Sequence, residues 1–324
     1  MQTLLNSPFC IGTVQLSHRL LQGPLAGFSC APFRQMYTPF LSPAYCVSEM
    51  ISAHDVVYKH TIDSRYLYRA PKEKILCYQL AGHDPSLMAL AAKRLEDIGA
   101  DLIDLNCGCP KTKIRKKGAG SALLDKPYQL SQIVSTVRQA IDIPLTVKLR
   151  ICGDQRDIDL AQMIEQAGAD ALIIHGRCWT DDYDIPCDLR RIGQIKQSVN
   201  IPVIANGDIA DWDTLKQAVE ISGCDAYMIS RAGTGKPWLY QQLLEEEGRD
   251  LGISNTTRIQ CFLSHLQGLA QLENEYKAVL QSKTLVRYYF GMALNEEQLQ
   301  VFYGLSNLHE IAKVLNQTLG IINR

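Results

Sequence analysis

The stretch Gly99-Ala100-Asp101-Leu102-Ile103-Asp104-Leu105-Asn106 decides the fold, because the chain writes it three times. Gly168-Ala169-Asp170 leads into Ala171-Leu172-Ile173-Ile174-His175, and Gly223-Cys224-Asp225 leads into Ala226-Tyr227-Met228-Ile229. In each copy the Gly can end a helix in a left-handed cap. The short, nearly continuous apolar run that follows is the pattern of a strand buried on both faces, as in a parallel sheet. Ile143-Pro144-Leu145 and Ile201-Pro202-Val203 open two more such runs, and eight are found in all: 20–24, 45–49, 75–80, 102–106, 145–149, 171–175, 203–206 and 226–229. Between them, 85–98, 127–141, 157–167, 189–198 and 211–221 place apolar residues three and four apart, as helices do. Repetition of one helix–turn–strand unit predicts an α/β fold of the (β/α)8 TIM-barrel kind. An open doubly wound sheet competes, but no Gly-x-Gly-x-x-Gly follows the first strand. After Trp238 the pattern changes. Residues 259–275, 279–294, 296–305 and 308–319 read as amphipathic helices, so a barrel over 1–240 followed by a C-terminal all-helical bundle over 250–324 is expected.

Composition narrows the function classes. The chain has 324 residues, is 46% hydrophobic and 21% charged, and carries 33 Lys and Arg against 34 Asp and Glu. Disordered, collagen-like and disulfide-scaffold proteins are excluded, and a surface uniformly coated in positive charge is not expected. No apolar run is long enough to cross a membrane, and Met1–Cys10 does not read as a secretory signal. The 11 cysteines contain no C-x-x-C pair, so no metal site is expected; reduced thiols and a cytoplasmic location are. A monomer is expected.

Barrel enzymes carry their chemistry at the C-terminal ends of the strands. Here those ends hold Pro24-Leu25-Ala26-Gly27, Glu49, Gln79, Asn106–Pro110, Lys148 and Arg150, His175-Gly176-Arg177, Asn206-Gly207-Asp208 and Ser230-Arg231. Amide, Lys, His and Arg groups thus converge from most of the strands. The ends of the seventh and eighth strands suit a phosphate, through close backbone approach at Gly207 and the guanidinium of Arg231. A Lys ending a buried strand needs an anion or an electron-rich partner. For Lys148 that is either a barrel carboxylate such as Glu49 or Asp104, or a flavin ring, which gains negative charge on reduction.

Asn106-Cys107-Gly108-Cys109-Pro110 is the most informative segment. Cys107 reads as part of the barrel wall. Cys109 lies beyond a Gly and before a Pro that stops strand pairing, so its thiol is placed in a loop as acid or nucleophile. The run from Lys111 to Lys117 then puts five basic residues into seven positions, with Lys111 and Lys113 nearest the thiol. A charge run is commonly a solvated loop; one that emerges at the catalytic face also suits an anionic substrate such as an RNA backbone.

At these residues the chain resembles the tRNA-dihydrouridine synthase family. The matching blocks are Gly23–Gly27 with Pro32-Phe33-Arg34, Asp104–Pro110, Lys117–Leu124, Val147–Arg150, His175-Gly176-Arg177, and Ile201–Ile209 through Met228–Trp238. The resemblance implies an FMN enzyme, reduced by NADPH, that saturates the 5,6 bond of particular uridines in tRNA. Hydride passes from flavin N5 to uracil C6 and a Cys acid protonates C5. By motif position the acid is Cys109 and Asn106 contacts the uracil. Pro24, Leu25, Ala26, Gln79, Lys148 and His175 would hold the flavin ring; Asn206, Gly207, Asp208, Ser230 and Arg231 would hold its phosphate. Lys111, Lys113 and Arg177, with Lys283 and Arg287 of the helical region, are the expected RNA contacts. The Asn106–Pro110 wording with Ile221–Asp225 most resembles the bacterial C-type branch, which acts on the position-sixteen uridine of the D-loop. Two other readings are an FMN barrel acting on a free pyrimidine, as in dihydroorotate oxidation, and an RNA-binding flavoprotein that folds tRNA.

Overall fold

A computed structural model describes residues 1–320, the side chain of Met292 apart. Eight parallel strands form a closed barrel: β1 (Leu20–Gln22), β2 (Cys46–Ser52), β3 (Leu76–Ala81), β4 (Leu102–Cys107), β5 (Leu145–Arg150), β6 (Ala171–His175), β7 (Val203–Asn206) and β8 (Ala226–Ile229). Each pairs with its neighbour in sequence, and β8 closes the ring against β1 with Met228 opposite Leu21. One helix follows each strand: α1 (Ala31–Gln35), α2 (Ala53–Tyr58), α3 (Pro85–Asp97), α4 (Pro127–Ala140), α5 (Arg156–Gln166), α6 (Leu189–Ser198), α7 (Trp212–Ser222) and α8 (Leu239–Glu245).

The repeated Gly-x-Asp does two jobs. Gly99, Gly168 and Gly223 all take positive φ, at 92°, 100° and 58°, which turns the chain out of the preceding helix. The Asp then pins the neighbouring strand: Asp101, Asp170 and Asp225 accept from the N–H of Leu76, Leu145 and Val203, each at 2.8 Å. Their carboxylates also pair with Arg69, Arg138 and Lys196. The repeat therefore sets strand order and register on the N-terminal side of the barrel, away from the chemistry.

Alternation along each strand sorts the core. Leu21, Cys77, Leu102, Ile173, Ile204 and Met228 fill the barrel interior, whose amino-terminal end is plugged by Ile11 and Leu16 of a small hairpin (Phe9–Ile11 with Val14–Leu16). The opposite faces of the strands pack on the helix ring. One strand departs from expectation. β2 runs on to Ser52 and does not end at Glu49, because a register shift between Val47 and Met50 absorbs extra residues.

Among the described residues four α-helices follow the barrel: α9 (Asn255–Leu272), α10 (Glu275–Phe290), α11 (Glu296–Tyr303) and α12 (Leu308–Leu319). They share a separate core built on Phe262, Leu266, Leu285, Tyr289, Phe290, Phe302 and Leu315. α9 and α10 start about four residues earlier than their apolar periodicity begins, since the side chains of Ser254 and Asn274 cap their first N–H groups. α9 lies directly on α1: a Cβ at Gly268 would stand 3.0 Å from Pro32 Cβ, so the two helices would have to part by a few tenths of an ångström to admit one. Arg65 ties the two regions together, bonding to Glu49 of β2 at 2.8 Å, to Glu273 at 2.6 Å, to Gln281 of α10 and to the Gly27 carbonyl. Among the described residues no helix is long and apolar enough to cross a membrane. Arg324, in the region expected to contact RNA, lies outside the described residues.

Candidate active site

At the C-terminal ends of the strands opens a cavity of about 920 Å³. Pro24, Leu25, Ala26, Gln79, Asn106, Cys109, Lys111, Lys148, His175, Arg177, Asn206, Gly207, Asp208, Ser230 and Arg231 all line it. Lys113 stands outside, exposed on a single helical turn (Thr112–Arg115), and Lys283 and Arg287 lie on α10 away from the cavity. α10 reaches it instead through Tyr288.

The floor is a network of strand-end side chains. Lys148 Nζ donates to Asn206 Oδ1 at 2.7 Å, and Asn206 Nδ2 donates to the Met228 carbonyl at 2.9 Å. Burial holds the Lys148 ammonium below its ordinary pKa and the nearby Asp104 carboxyl above its own. Burial, with the positive charge of Lys148, Arg150, Arg177 and Arg231, pushes His175 down to about 2, so its ring is neutral. Gln79 Nε2 donates to Asp104 at 2.7 Å, and Asn106 Nδ2 donates to Gln79 Oε1 at 2.9 Å.

The thiol loop is fixed at both ends. Cys109 N donates to Asn106 Oδ1 at 3.0 Å, and the Cys109 carbonyl accepts from the N–H of Ser121 at 3.1 Å and its hydroxyl at 3.0 Å. Arg115 donates to that same hydroxyl, to Asp125, and lies 3.6 Å over the Trp179 ring. Cys107 is buried in the barrel wall.

Three side chains do other work than the sequence implies. The Arg177 guanidinium is 2% exposed and committed inward: to both oxygens of Asp208 at 2.7 Å and to the carbonyls of Tyr183 and Ile185. It therefore braces the β6 and β7 loops. The Asp208 carboxylate faces Arg177 and the Cys187 N–H, leaving its main chain, at φ 54°, for the cavity. Arg231 lies 3.6 Å over the ring of Tyr183. Trp179 and Tyr183 thus clasp the loop after β6 to the loops after β4 and β8. Arg150, a strand-end residue with no assigned role, stands in the cavity beside Gly108, with Nη1 on the Cys178 carbonyl at 2.7 Å. Met50 and Tyr183 also line it, and nothing in their sequence context marks them. Met50 arrives there through the register shift in β2.

The donor set fits a phosphorylated, electron-accepting ring. Among the described residues no protein acceptor meets the main-chain N–H groups of Gly207, Asp208, Arg231 and Ala232, a cluster of the kind that cradles anions. Gly207, at φ 124°, has no room for a side chain: a Cβ would stand 2.7 Å from Cys187 Sγ. At the other end, Lys148 and the amides of Gln79 and Asn106 offer N–H donors to carbonyl oxygens. Among the described residues no group of three or more His, Cys, Asp or Glu could hold a metal.

A polar cavity of this kind at the C-terminal mouth of a closed eight-stranded barrel defines the class of (β/α)8 barrel enzymes. An old yellow enzyme homologue from Zymomonas mobilis shares this architecture, with a TM-score of 0.55 and 14% identity over 75% of this chain and 92% of that one. The sequence matches the family model for dihydrouridine synthase (Dus) over residues 21–317. It is 36% identical to the tRNA-dihydrouridine synthase B of Vibrio vulnificus over 296 residues, 89% of this chain and 90% of that protein. It is 34% identical to the tRNA-dihydrouridine synthase B of Shewanella oneidensis, over 93% and 94% of the two chains. The chain belongs to the dihydrouridine synthase family. The B designation of these relatives overturns the C-type reading. That reading rested on two five-residue segments, which say less about branch than identity along some 300 aligned positions.

Proposed function

We propose that the protein reduces the 5,6 double bond of a uridine in tRNA, using FMN as cofactor and NADPH as electron donor. The observation that carries this reading is the Cys109 loop. A half-buried thiol, anchored through its own backbone, shares one cavity with the Lys148–Asn206 floor, and a basic segment leaves it directly onto the rim.

Pro24, Leu25, Ala26, Gln79, Lys148 and His175 would hold the flavin ring. Asn206, Gly207, Asp208, Ser230 and Arg231 would hold the phosphate, mainly through the free N–H groups named above. When bound, the reduced flavin supplies hydride from its N5 to uracil C6. The remaining work falls to the protein. Asn106 contacts the uracil, and Cys109 delivers a proton to C5. An isolated uracil is a poor hydride acceptor, so that proton must arrive as the hydride does. Neutral His175 donates a hydrogen bond without placing a second cation beside Lys148. The target base must leave its stack to enter the barrel mouth, which costs a few kcal/mol and is cheapest in a flexible loop such as the D-loop.

Residues 1–240 act as the catalytic domain, and residues 250–324 as the tRNA-binding domain. On α10, Tyr276, Leu280, Thr284, Arg287 and Tyr288 are exposed and Lys283 half-exposed, and this sector carries no carboxylate of its own. It runs outward from Tyr288 at the cavity mouth, which suits a nucleic-acid strand. Lys111 and Lys113 meet the same strand from the β4 loop. Arg287 enters the complex by exchanging Glu296, now 3.3 Å away, for a phosphate. The protein works as a monomer in the cytoplasm. Mixing the reduced enzyme with unmodified tRNA tests this: flavin reoxidation under anaerobic conditions is expected with tRNA and not with free uridine. Equal reoxidation by a free pyrimidine would replace this reading with that of a small-molecule enzyme.

A further inference from the structure

Beneath the cavity sits Asp104, fully buried on β4. It shares the interior-facing parity of Leu102 and Asn106. A buried carboxylate is costly unless its oxygens are satisfied. Here both are met by neutral donors: Thr146 Oγ1 on one at 2.7 Å and Gln79 Nε2 on the other at 2.7 Å. The cation nearest in function, Lys148, gives its Nζ to Asn206.

These contacts settle the direction of a chain of hydrogen bonds. An ionised carboxylate only accepts, so Gln79 must turn its NH2 toward Asp104. Its Oε1 then faces the other way and must accept, which it does from Asn106 Nδ2 at 2.9 Å. Asn106 Oδ1 is left to accept from the main-chain N–H of Cys109 at 3.0 Å, with Gly108 N at 3.4 Å. Main-chain N–H groups only donate, so the far end demands the same direction. Polarity is thus pinned from both ends, and neither amide can flip without breaking two links. We propose that Asp104 is a positioning residue: it fixes the amide orientation of Gln79 and Asn106, and through Asn106 it anchors the loop that carries Cys109. This rests on Cys109 being the proton donor, but its structural half does not.

A buried side chain of this kind is ordinarily credited only with stability, and two substitutions separate the roles. In Asp104→Asn the side-chain oxygen still accepts from Gln79, while the new NH2 donates to Thr146 Oγ1, which can pass its own proton to the Ile103 carbonyl 3.5 Å away. Polarity survives although the charge is gone. In Asp104→Leu the acceptor is lost, and Gln79 has no reason to keep its orientation. Iodoacetamide labelling of Cys109 in the FMN-bound enzyme, followed peptide by peptide in a mass spectrometer, reads the loop without any RNA. The expected result is labelling about tenfold faster in Asp104→Leu, the equivalent of one lost hydrogen bond, and near the natural rate in Asp104→Asn. With tRNA, kcat is expected to fall by a similar factor, about tenfold, in Asp104→Leu only, with flavin reduction by NADPH little changed in both. Equal impairment of the two variants would show that the charge, not the polarity, matters, and would overturn the proposal. So would natural labelling in a folded Asp104→Leu. Gln79→Met cuts the same chain one link later and keeps the test alive if the buried leucine does not fold: it must also expose Cys109, and natural labelling there would equally overturn the proposal. Should the natural enzyme leave tRNA unreduced, the labelling arm still decides whether Asp104 anchors the loop.

Discussion

Gly120→Ala probes the geometry of the thiol loop directly. Gly120 sits at φ +63°, and a Cβ there would stand 2.8 Å from the Cys109 carbonyl oxygen and 2.9 Å from Ile114 Cγ2. Ordinary contact begins near 3.4 Å, so the Cys109 backbone must retreat by about 0.6 Å. That carbonyl is held by Ser121, so the retreat strains both hydrogen bonds to it and moves the thiol. A misplacement of 1 Å costs roughly 10²-fold in rate, so about tenfold is expected here in tRNA-dependent oxidation of the reduced enzyme. The left-handed backbone adds about 1–2 kcal/mol of instability for any residue with a Cβ. Stopped-flow spectroscopy separates the two half-reactions. Flavin reduction by NADPH is expected near its natural rate, and only the step with tRNA slows. A destabilised variant whose tRNA step runs at the natural rate would refute the idea that this contact sets the position of Cys109.

Other perturbations report on other parts of the molecule. Replacing Lys283 and Arg287 together with Ala is expected to flatten the dependence of tRNA binding on salt, lowering the log–log slope by about 1.4–1.8 in filter-binding titrations. Arg65→Met leaves Glu49 buried without its partner and removes the ion pair to Glu273, so urea unfolding is expected to show a loss of about 3–5 kcal/mol. Burial drives His175 to about 2 and His265 to about 3, against 6.5 for a free imidazole. Between those values and 6.5 the unfolded imidazoles bind more protons, so the contribution of these two histidines to stability is constant above pH 6.5 and falls as pH is lowered below it, by about 1.4 kcal/mol per pH unit for each. His265→Phe is expected to remove one such contribution, about 1.4 kcal/mol per pH unit, from the pH dependence measured by chemical denaturation between pH 5 and 6.

Much of the architecture was legible because buried parallel strands leave a plain signature. All eight apolar runs became barrel strands, and 189–198 and 308–319 became helices with those same ends. The Gly in each Gly-x-Asp repeat was readable as a cap. The Asp was not, since its partner is the first N–H of another strand, a contact that exists only once the barrel closes. Glu49 misled for a related reason: a bulge shifts which side chain meets the cavity, and bulges leave no period in the sequence. At the site, strand-end residues were identifiable because barrel topology brings every strand end to one mouth. What each side chain does there was harder. Arg177 reads as an RNA contact until its guanidinium is seen committed to both oxygens of Asp208 and to two main-chain carbonyls. Trp179 and Tyr183 gain meaning only from Arg115 and Arg231 beneath them. Branch identity was beyond short motifs altogether, because residues shared for common chemistry do not distinguish its variants.

The cavity is assigned the reduction of uridine in tRNA, with Cys109 as acid. The most direct measurement is nucleoside mass spectrometry of unmodified tRNA incubated with the enzyme, FMN and NADPH, beside the Cys109→Ala variant. Dihydrouridine is expected at a defined site with the natural enzyme, and severely reduced formation with Cys109→Ala although its flavin is bound and reduced. Unmodified tRNA after incubation with a reduced, tRNA-bound natural enzyme would contradict the account, and full dihydrouridine formation by Cys109→Ala would remove that thiol from its role.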